Sequence, residues 1–324
     1  MTEAIFLLSL PRSGSTLLQR ILSSSRYVET APEPWILLPL LTADTDEYSF
    51  SIYGETIKKN AINDVKEKIG PDTYRESISL SAHKIYSALA NGNRYFLDKT
   101  PRYHFLAKKL YRYFPDAKYI VLWRNPLAVA SSIVNTWGKG KWKLHGREVD
   151  LYLGLESLIE FTEEYGDREN VHTIRYEDLV TNPHGCVQEL TRFLGIEDEN
   201  IDEMLKMGDT GYAGGMGDKE GVKKFGDRIA RNTDAWKECF NNPVRRMWAR
   251  RYLGYLGPRR LGLMGYDMDE LLSGLRKGPH RWINVLPDLF RIGRGMIWRF
   301  TEPAIRKDKI RKLMGHGKGP YIHR

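Results

Sequence analysis

The sequence predicts a three-layer α/β fold, a central parallel sheet flanked by helices, followed by a basic, helical C-terminal extension. Three observations predict it. Apolar runs long enough for buried strands occur at Ala4–Leu10 and Ala117–Trp123, and Val171–Arg175 reads as a further strand; the lack of alternation in the first suits a strand covered on both faces. Segments with helical spacing lie between them, which is the alternation that builds a doubly wound sheet. The strand-to-helix junctions carry Pro, Gly, Ser, Asn or Asp, the residues of turns and helix caps.

The elements follow in order. The first strand, Ala4–Leu10, stops at Pro11. Ser13, Gly14, Ser15 and Thr16 then form a small, hydroxyl-rich turn, and Leu17, Leu18, Ile21 and Leu22 recur at helical spacing. A strand, a small-residue turn and a helix N-terminus together make an anion site, because free backbone N–H groups and the positive dipole end point at one spot. Arg12 adds a permanent charge there. The turn resembles a phosphate-binding loop, which makes the fold P-loop-like. It is not the Walker form: the leading Gly is missing and no Lys follows Gly14. An ordinary turn with Ser/Thr caps is the alternative at this point.

Tyr27–Thr30 reads as a second short strand, and Ala31–Trp35, with Pro32 and Pro34, as a stiff loop. Residues 55–69 and 73–90 read as helices. Arg94–Leu97 is a short strand closing on Asp98-Lys99-Thr100-Pro101, and a helix runs over Tyr103–Phe114. Ala117–Trp123 leads through Arg124-Asn125-Pro126 into a helix to Val134. Helices over 149–165 and 184–194 bracket Val171–Arg175. Residues 208–226 are Gly-rich and aperiodic, as expected of a mobile lid loop. Helical spacing resumes at Ala235–Tyr255. The expected division is an α/β domain over 1–255 and an extension over 256–324.

The chain has 324 residues, enough for one large α/β domain with a small appendage. Two cysteines, Cys186 and Cys239, argue against a disulfide framework or a structural zinc site. No apolar run approaches the roughly 18 residues that span a bilayer, and no signal-peptide pattern precedes the first strand. A cytoplasmic location is expected. Charge is uneven: residues 250–324 carry 17 Lys/Arg against 6 Asp/Glu, and the preceding chain 33 against 35. In the tail, Trp282, Ile283, Val285, Leu286, Leu289, Phe290, Met296, Ile297 and Phe300 recur at helical spacing, interleaved with Arg281, Arg291, Arg294 and Arg299. Pro287 either kinks this helix or starts it. Such a stretch suits an anionic, peripheral membrane contact or packing on its own domain. No specific nucleic-acid partner is expected.

Four segments fall at the C-terminal ends of predicted strands, where open α/β sheets bind ligands: Pro11–Thr16, Asp98–Pro101, Trp123–Ser132 and Arg175–Asp178. With these in line, residues 4–195 resemble the sulfotransferases that use 3′-phosphoadenosine 5′-phosphosulfate (PAPS), in the Golgi-type, tyrosylprotein and bacterial branch. PRSGST is similar to that branch's phosphosulfate loop, VLWRNPLAVASSI to the 3′-phosphate segment with an Arg and a Ser eight residues apart, and RYEDL to the segment whose Tyr approaches the nucleotide. The resemblance implies that Arg12, Ser13, Gly14, Ser15, Thr16 and Leu17 hold the phosphosulfate. It implies that Arg124, Ser132 and Tyr176 hold the rest of the nucleotide, that PAPS is the donor and PAP the product, and that no metal takes part. Beyond residue 200 only Lys223, Lys224, Gly226, Arg228 and Thr233–Lys237 are loosely comparable with the family's Gly-rich nucleotide segment.

The chemistry calls for these residue types. Sulfuryl transfer places growing negative charge on a phosphate oxygen, and pre-placed amides and cations stabilise it. Lys99 resembles a family Lys close to the transferring group, and Arg12 is the second catalytic cation. An acceptor hydroxyl needs a base. Glu33, 21 residues after Arg12 and held between Pro32 and Pro34, is the leading candidate by the same resemblance; His83 and His104 are rivals. The expected acceptor is a carbohydrate or glycan hydroxyl, free or lipid-linked. A P-loop kinase would require a Lys after Gly14 and an Asp where Arg124 stands. A non-catalytic nucleotide binder would keep the loop without needing Glu33.

Overall fold

The computed structural model describes residues 2–42, 55–207 and 233–301. Within them, β1 (Glu3–Ser9), β2 (Val28–Thr30), β3 (Tyr95–Asp98), β4 (Lys118–Trp123) and β5 (Val171–Arg175) form one sheet in the order β2-β3-β1-β4-β5. Every neighbouring pair is parallel. The strands fall within one or two residues of the segments expected from the sequence.

Successive strand residues enter opposite apolar layers, which is why the runs lack polar alternation. Phe6, Phe96, Tyr119 and Val121 pack with Tyr86, Tyr103, Leu127, Phe161 and Tyr252 on one face. Ile5, Leu7, Leu97, Ile120, Leu122 and Ile174 pack with Leu18, Ile21, Leu22, Val187 and Leu190 on the other. Both cysteines are free and buried.

Several helices differ in detail from the sequence expectation. The helix expected at 73–90 begins at Pro71, since Pro is favoured in a first turn. The 103–114 segment is a 3₁₀ turn (Tyr103–Leu106) followed by Ala107–Tyr113. Residues 149–165 divide into a π-helical stretch, Val149–Gly154, and Leu155–Tyr165. The Ala235–Tyr255 pattern is two helices, Trp236–Cys239 and Pro243–Leu263. The second starts afresh because Asn242 caps it by accepting from the Arg245 amide.

Near the expected 255/256 division, Gly257 breaks the Pro243–Leu263 helix with φ 70°. Past it, Leu261, Met264, Leu271 and Leu275 stay in the first apolar layer. Helices follow over Met268–Lys277 and Val285–Thr301, and Pro287 sits in the first turn of the last, where it starts rather than kinks it. The 208–226 stretch and residues 302–324 lie outside the described residues.

The sheet order sets the site. β1 lies between β3 and β4, so the connections leaving the C-terminal ends of these strands diverge there. The crevice this opens is the ligand position of an open α/β sheet.

Candidate active site

The turn after β1 leads into helix α1 (Ser15–Ser23). Arg12 and Gly14 both hold left-handed φ, 69° and 94°. For Arg12 this costs of the order of 1–2 kcal/mol. Ser13 is buried, and its amide donates to the Leu10 carbonyl at 3.2 Å. The Leu17 and Leu18 amides donate to the Gly14 carbonyl at 3.0 and 3.3 Å. The Ser15 and Thr16 amides, in the first turn of α1, therefore lack intrahelical acceptors. These free amides fall in the turn where the sequence predicts an anion nest.

Three other segments close on this loop. Arg124, at the end of β4, donates from Nη1 to the Arg12 carbonyl at 2.8 Å, and its guanidinium lies 4.2 Å from the Tyr176 ring centroid. Its Nε is buried with no acceptor. Burial pulls its pKa below the usual guanidinium value, while Tyr176 and Glu177 act against that. Ser132, on the Pro126–Thr136 helix, accepts from Arg12 Nε at 3.3 Å; Thr136 accepts from Arg12 Nη2 at 3.5 Å. Tyr176 covers Gly14 so closely that a Cβ there would collide with its ring.

The rest of the RYEDL segment is bracing. Glu177 accepts from the Asn125 amide at 3.2 Å and from Tyr266 Oη at 2.5 Å. Asn125 in turn caps the Pro126–Thr136 helix. Arg175 donates to both Asp178 oxygens, at 2.7 and 2.6 Å, and to the Gly265 carbonyl at 2.6 Å. The strand ends that carry Arg124 and Tyr176 are thus tied to each other and to the chain past residue 255.

Glu33 and Lys99 meet. Lys99 Nζ donates to Glu33 Oε1 at 2.9 Å, and Trp35 Nε1 donates to Glu33 Oε2 at 3.2 Å. Their side chains are only 4% (Lys99) and 11% (Glu33) exposed, so neither is a surface charge. Beneath them Asp98 is fully buried. It accepts from Tyr86 Oη (2.6 Å), Tyr103 Oη (3.0 Å) and Thr100 Oγ1 (2.7 Å). Thr100 Oγ1 accepts from the Trp35 amide at 3.2 Å, and Tyr103 Oη from the Leu37 amide at 3.2 Å. Burial pushes Asp98 up to about 6, with the three hydroxyl donors acting against it.

Gln19 joins the two halves of the site. From α1 its Nε2 donates to Thr30 Oγ1 (2.8 Å) and to the Ala31 carbonyl (2.9 Å), just before Pro32 and Glu33. Thr30 Oγ1 donates to the Leu97 carbonyl on β3 at 2.7 Å. Sequence reasoning missed Gln19, Trp35, Asp98 and Tyr103. No local pattern marked them: Gln19 lies on the flank of the apolar face of α1, and its complete burial emerges only in the fold.

The histidines are placed elsewhere. His104 is fully buried with Nδ1 3.2 Å from the Ser9 carbonyl, and burial lowers its pKa to about 3. It is a neutral donor bracing the end of β1. His83 is half-buried against Phe114. Lys223, Lys224, Gly226 and Arg228 lie outside the described residues. Trp236 is buried in the core, and Lys237 pairs with Asp234 at 2.7 Å.

A strand–turn–helix with free amides, a second cationic strand end stacked on it and a buried Glu–Lys pair thus gather at the C-terminal end of the sheet. The family model described as the sulfotransferase family matches residues 4–200, and the chain belongs to that family. "Nodulation protein NoeE" of Sinorhizobium fredii is 29% identical over 218 residues, 60% of this chain and 51% of that protein. "Omega-hydroxy-beta-dihydromenaquinone-9 sulfotransferase Stf3" of Mycobacterium bovis is 30% identical over 111 residues, 31% of this chain and 28% of that protein. The chain therefore spans about half the length of the first relative and less of the second. Among solved structures, the sulfotransferase domain from the curacin biosynthetic pathway aligns with a TM-score of 0.48 at 25% identity, covering 72% of this chain and 89% of that one. Mouse sulfotransferase SULT7A1 complexed with PAP aligns with 0.46 at 18% identity, covering 82% and 89%.

Proposed function

We propose that this chain transfers a sulfuryl group from PAPS to an acceptor hydroxyl, leaving PAP. The observation that carries the reading is Arg124. Its guanidinium is stacked on Tyr176 and anchored to the Arg12 carbonyl, and it keeps a buried Nε donor unmatched beside the loop. A buried donor left without an acceptor is costly, and a 3′-phosphate would satisfy it.

In this reading the backbone of Ser13–Leu17 and the Ser15 and Thr16 hydroxyls hold the 5′-phosphosulfate, with Arg12 beside them. Arg124, Ser132 and Tyr176 bind the nucleotide. Lys99 moves its ammonium from Glu33 to the charge growing on the departing phosphate oxygen. That movement frees Glu33 Oε1 to take the acceptor's proton. The acceptor oxygen then forms the new S–O bond as the old one breaks. The buried pairing of Glu33 with Lys99 supports coupling of these two events.

The acceptor is read as an alcohol on a glycan or lipid-linked glycan, met by a cytoplasmic protein peripheral at a membrane. A relative named for an ω-hydroxylated dihydromenaquinone supports a lipid-borne alcohol. The donor assignment is tested by calorimetry with 3′,5′-adenosine bisphosphate, ADP and AMP without Mg²⁺. The bisphosphate should bind at least about tenfold tighter than AMP, equivalent to 1.4 kcal/mol. Arg124→Ala should weaken binding chiefly of the bisphosphate, costing AMP much less and so narrowing that preference; equal loss for AMP would remove Arg124 from the 3′-phosphate role. Equal binding of all three, or binding of ATP only with Mg²⁺, would overturn the donor assignment.

A further inference from the structure

The start of the last helix displays its apolar residues outward. Trp282, Ile283, Leu286 and Phe290 are 82%, 59%, 78% and 73% exposed. A helix packed on its own domain hides such residues, and here the opposite face is the anchor. Asp288 is fully buried, accepting from Arg245 Nε at 2.7 Å and Asn242 Nδ2 at 2.9 Å, and also receives Arg291 Nη1 at 3.0 Å. Ile292 packs against the core. The acidic residue of this segment is thus turned inward, leaving a ridge of large apolar side chains on the surface.

Beside Trp282 opens a cleft of about 370 Å³, lined by Arg246, Arg250, Arg251, His280 and Arg281 among others. Arg246 is 4% exposed. It donates from Nε to the Phe240 carbonyl (3.0 Å) and from Nη2 to the Gly278 and Pro279 carbonyls (2.8 and 3.0 Å). Its Nη1 is buried without an acceptor. One exposed carboxylate, Glu238, lies 3.8 Å from Arg281 and offsets part of the charge.

We infer that this face docks the protein on an anionic phospholipid membrane. The cleft takes a headgroup phosphate, with Arg246 among its lining residues and Arg250, Arg251 and Arg281 beside it. Trp282, Ile283, Leu286 and Phe290 enter the interfacial layer. Guanidinium groups match phosphate oxygens in geometry and charge, and Trp favours the bilayer interface because it is apolar with one polar handle. The two features need each other in one partner. A soluble polyanion would use the arginines and leave the ridge in water, and a neutral apolar partner would bury unpaired cations. The residues involved lie outside the donor site, so the inference does not rest on the sulfuryl-transfer reading.

The test is co-sedimentation of the full chain with phosphatidylcholine vesicles and with vesicles that also carry phosphatidylglycerol. Binding should require the anionic lipid and weaken with salt. Arg250→Ala/Arg251→Ala should lower partitioning about twenty-fivefold, at roughly fivefold per basic residue near an anionic surface. Trp282→Ser/Phe290→Ser should reduce it by a comparable factor on vesicles of the same charge. All four positions are exposed, so thermal melting should match the parent, and binding of 3′,5′-adenosine bisphosphate should be unchanged. Equal binding to neutral vesicles, or partitioning insensitive to either double variant, would overturn the proposal. So would loss with the arginine variant alone, matched by loss of heparin binding, which would make the face a soluble-polyanion site.

Discussion

Glu33 and Lys99 are each costly to bury alone, and their 2.9 Å contact offsets that cost. Trp35 and Thr100 fix the geometry, and Asp98 fixes Thr100. If Glu33 is the base, Glu33→Gln keeps the shape and one of the two contacts with donors, since its amide nitrogen cannot accept from the second, and it removes the proton acceptor. The expected result is a kcat lower by about 10²–10⁴, with calorimetric affinity for 3′,5′-adenosine bisphosphate unchanged. A kcat equal to the parent's would remove Glu33 from that role. His104 was a rival because cytosolic members of the resembled family use a His as base; here it is buried, with Nδ1 against the Ser9 carbonyl, as a brace.

At the scale of the element, the loop before α1 is held open from outside. Arg124 holds the Arg12 carbonyl, Ser132 and Thr136 hold the Arg12 side chain, and Tyr176 lies on Gly14. Gly14→Ala would add left-handed strain and a collision with Tyr176, together about 1–3 kcal/mol. Its melting temperature should fall and its affinity for the bisphosphate should drop at least about tenfold. Adding Tyr176→Ala removes the collision but not the strain, so a double-mutant cycle should show coupling. Additive effects would mean that the ring does not shape the loop.

For the whole molecule, two buried groups set opposing trends of stability with pH. Asp98 is raised from 3.8 to about 6, so the folded state holds its proton more tightly. The stability this contributes is full below pH 3.8 and is lost as pH rises through 6. His104 is lowered from 6.5 to about 3, so the folded state keeps it neutral. Its contribution is full above pH 6.5 and is lost as pH falls toward 3. Between about pH 4 and 6 the two oppose each other. Asp98→Asn should therefore make the urea midpoint fall more steeply from pH 6 to pH 4 than in the parent, whatever its effect at neutral pH. Parallel slopes would show that Asp98 does not titrate in this window.

The parallel sheet and the Gly-centred turn after β1 were legible from the residues, because both rest on short-range physics. Buried strands need unbroken apolar runs, and a Gly-centred turn before a helix leaves free amides. The sequence also placed Arg12, Lys99, Arg124 and Tyr176 at predicted strand ends and Glu33 in a stiff loop, while the roles expected of them came from the resemblance to the sulfotransferase motifs. Tertiary structure alone decided what those residues touch. Ser132 faces Arg12, Gln19 ties α1 to the Glu33 loop, and Lys99 reaches Glu33. Each of these contacts joins segments distant in sequence, and no local periodicity encodes a hydrogen bond between them. The last helix shows the same limit. Its amphipathic pattern was legible, but which face turned inward was decided by one buried carboxylate, Asp288, finding Arg245.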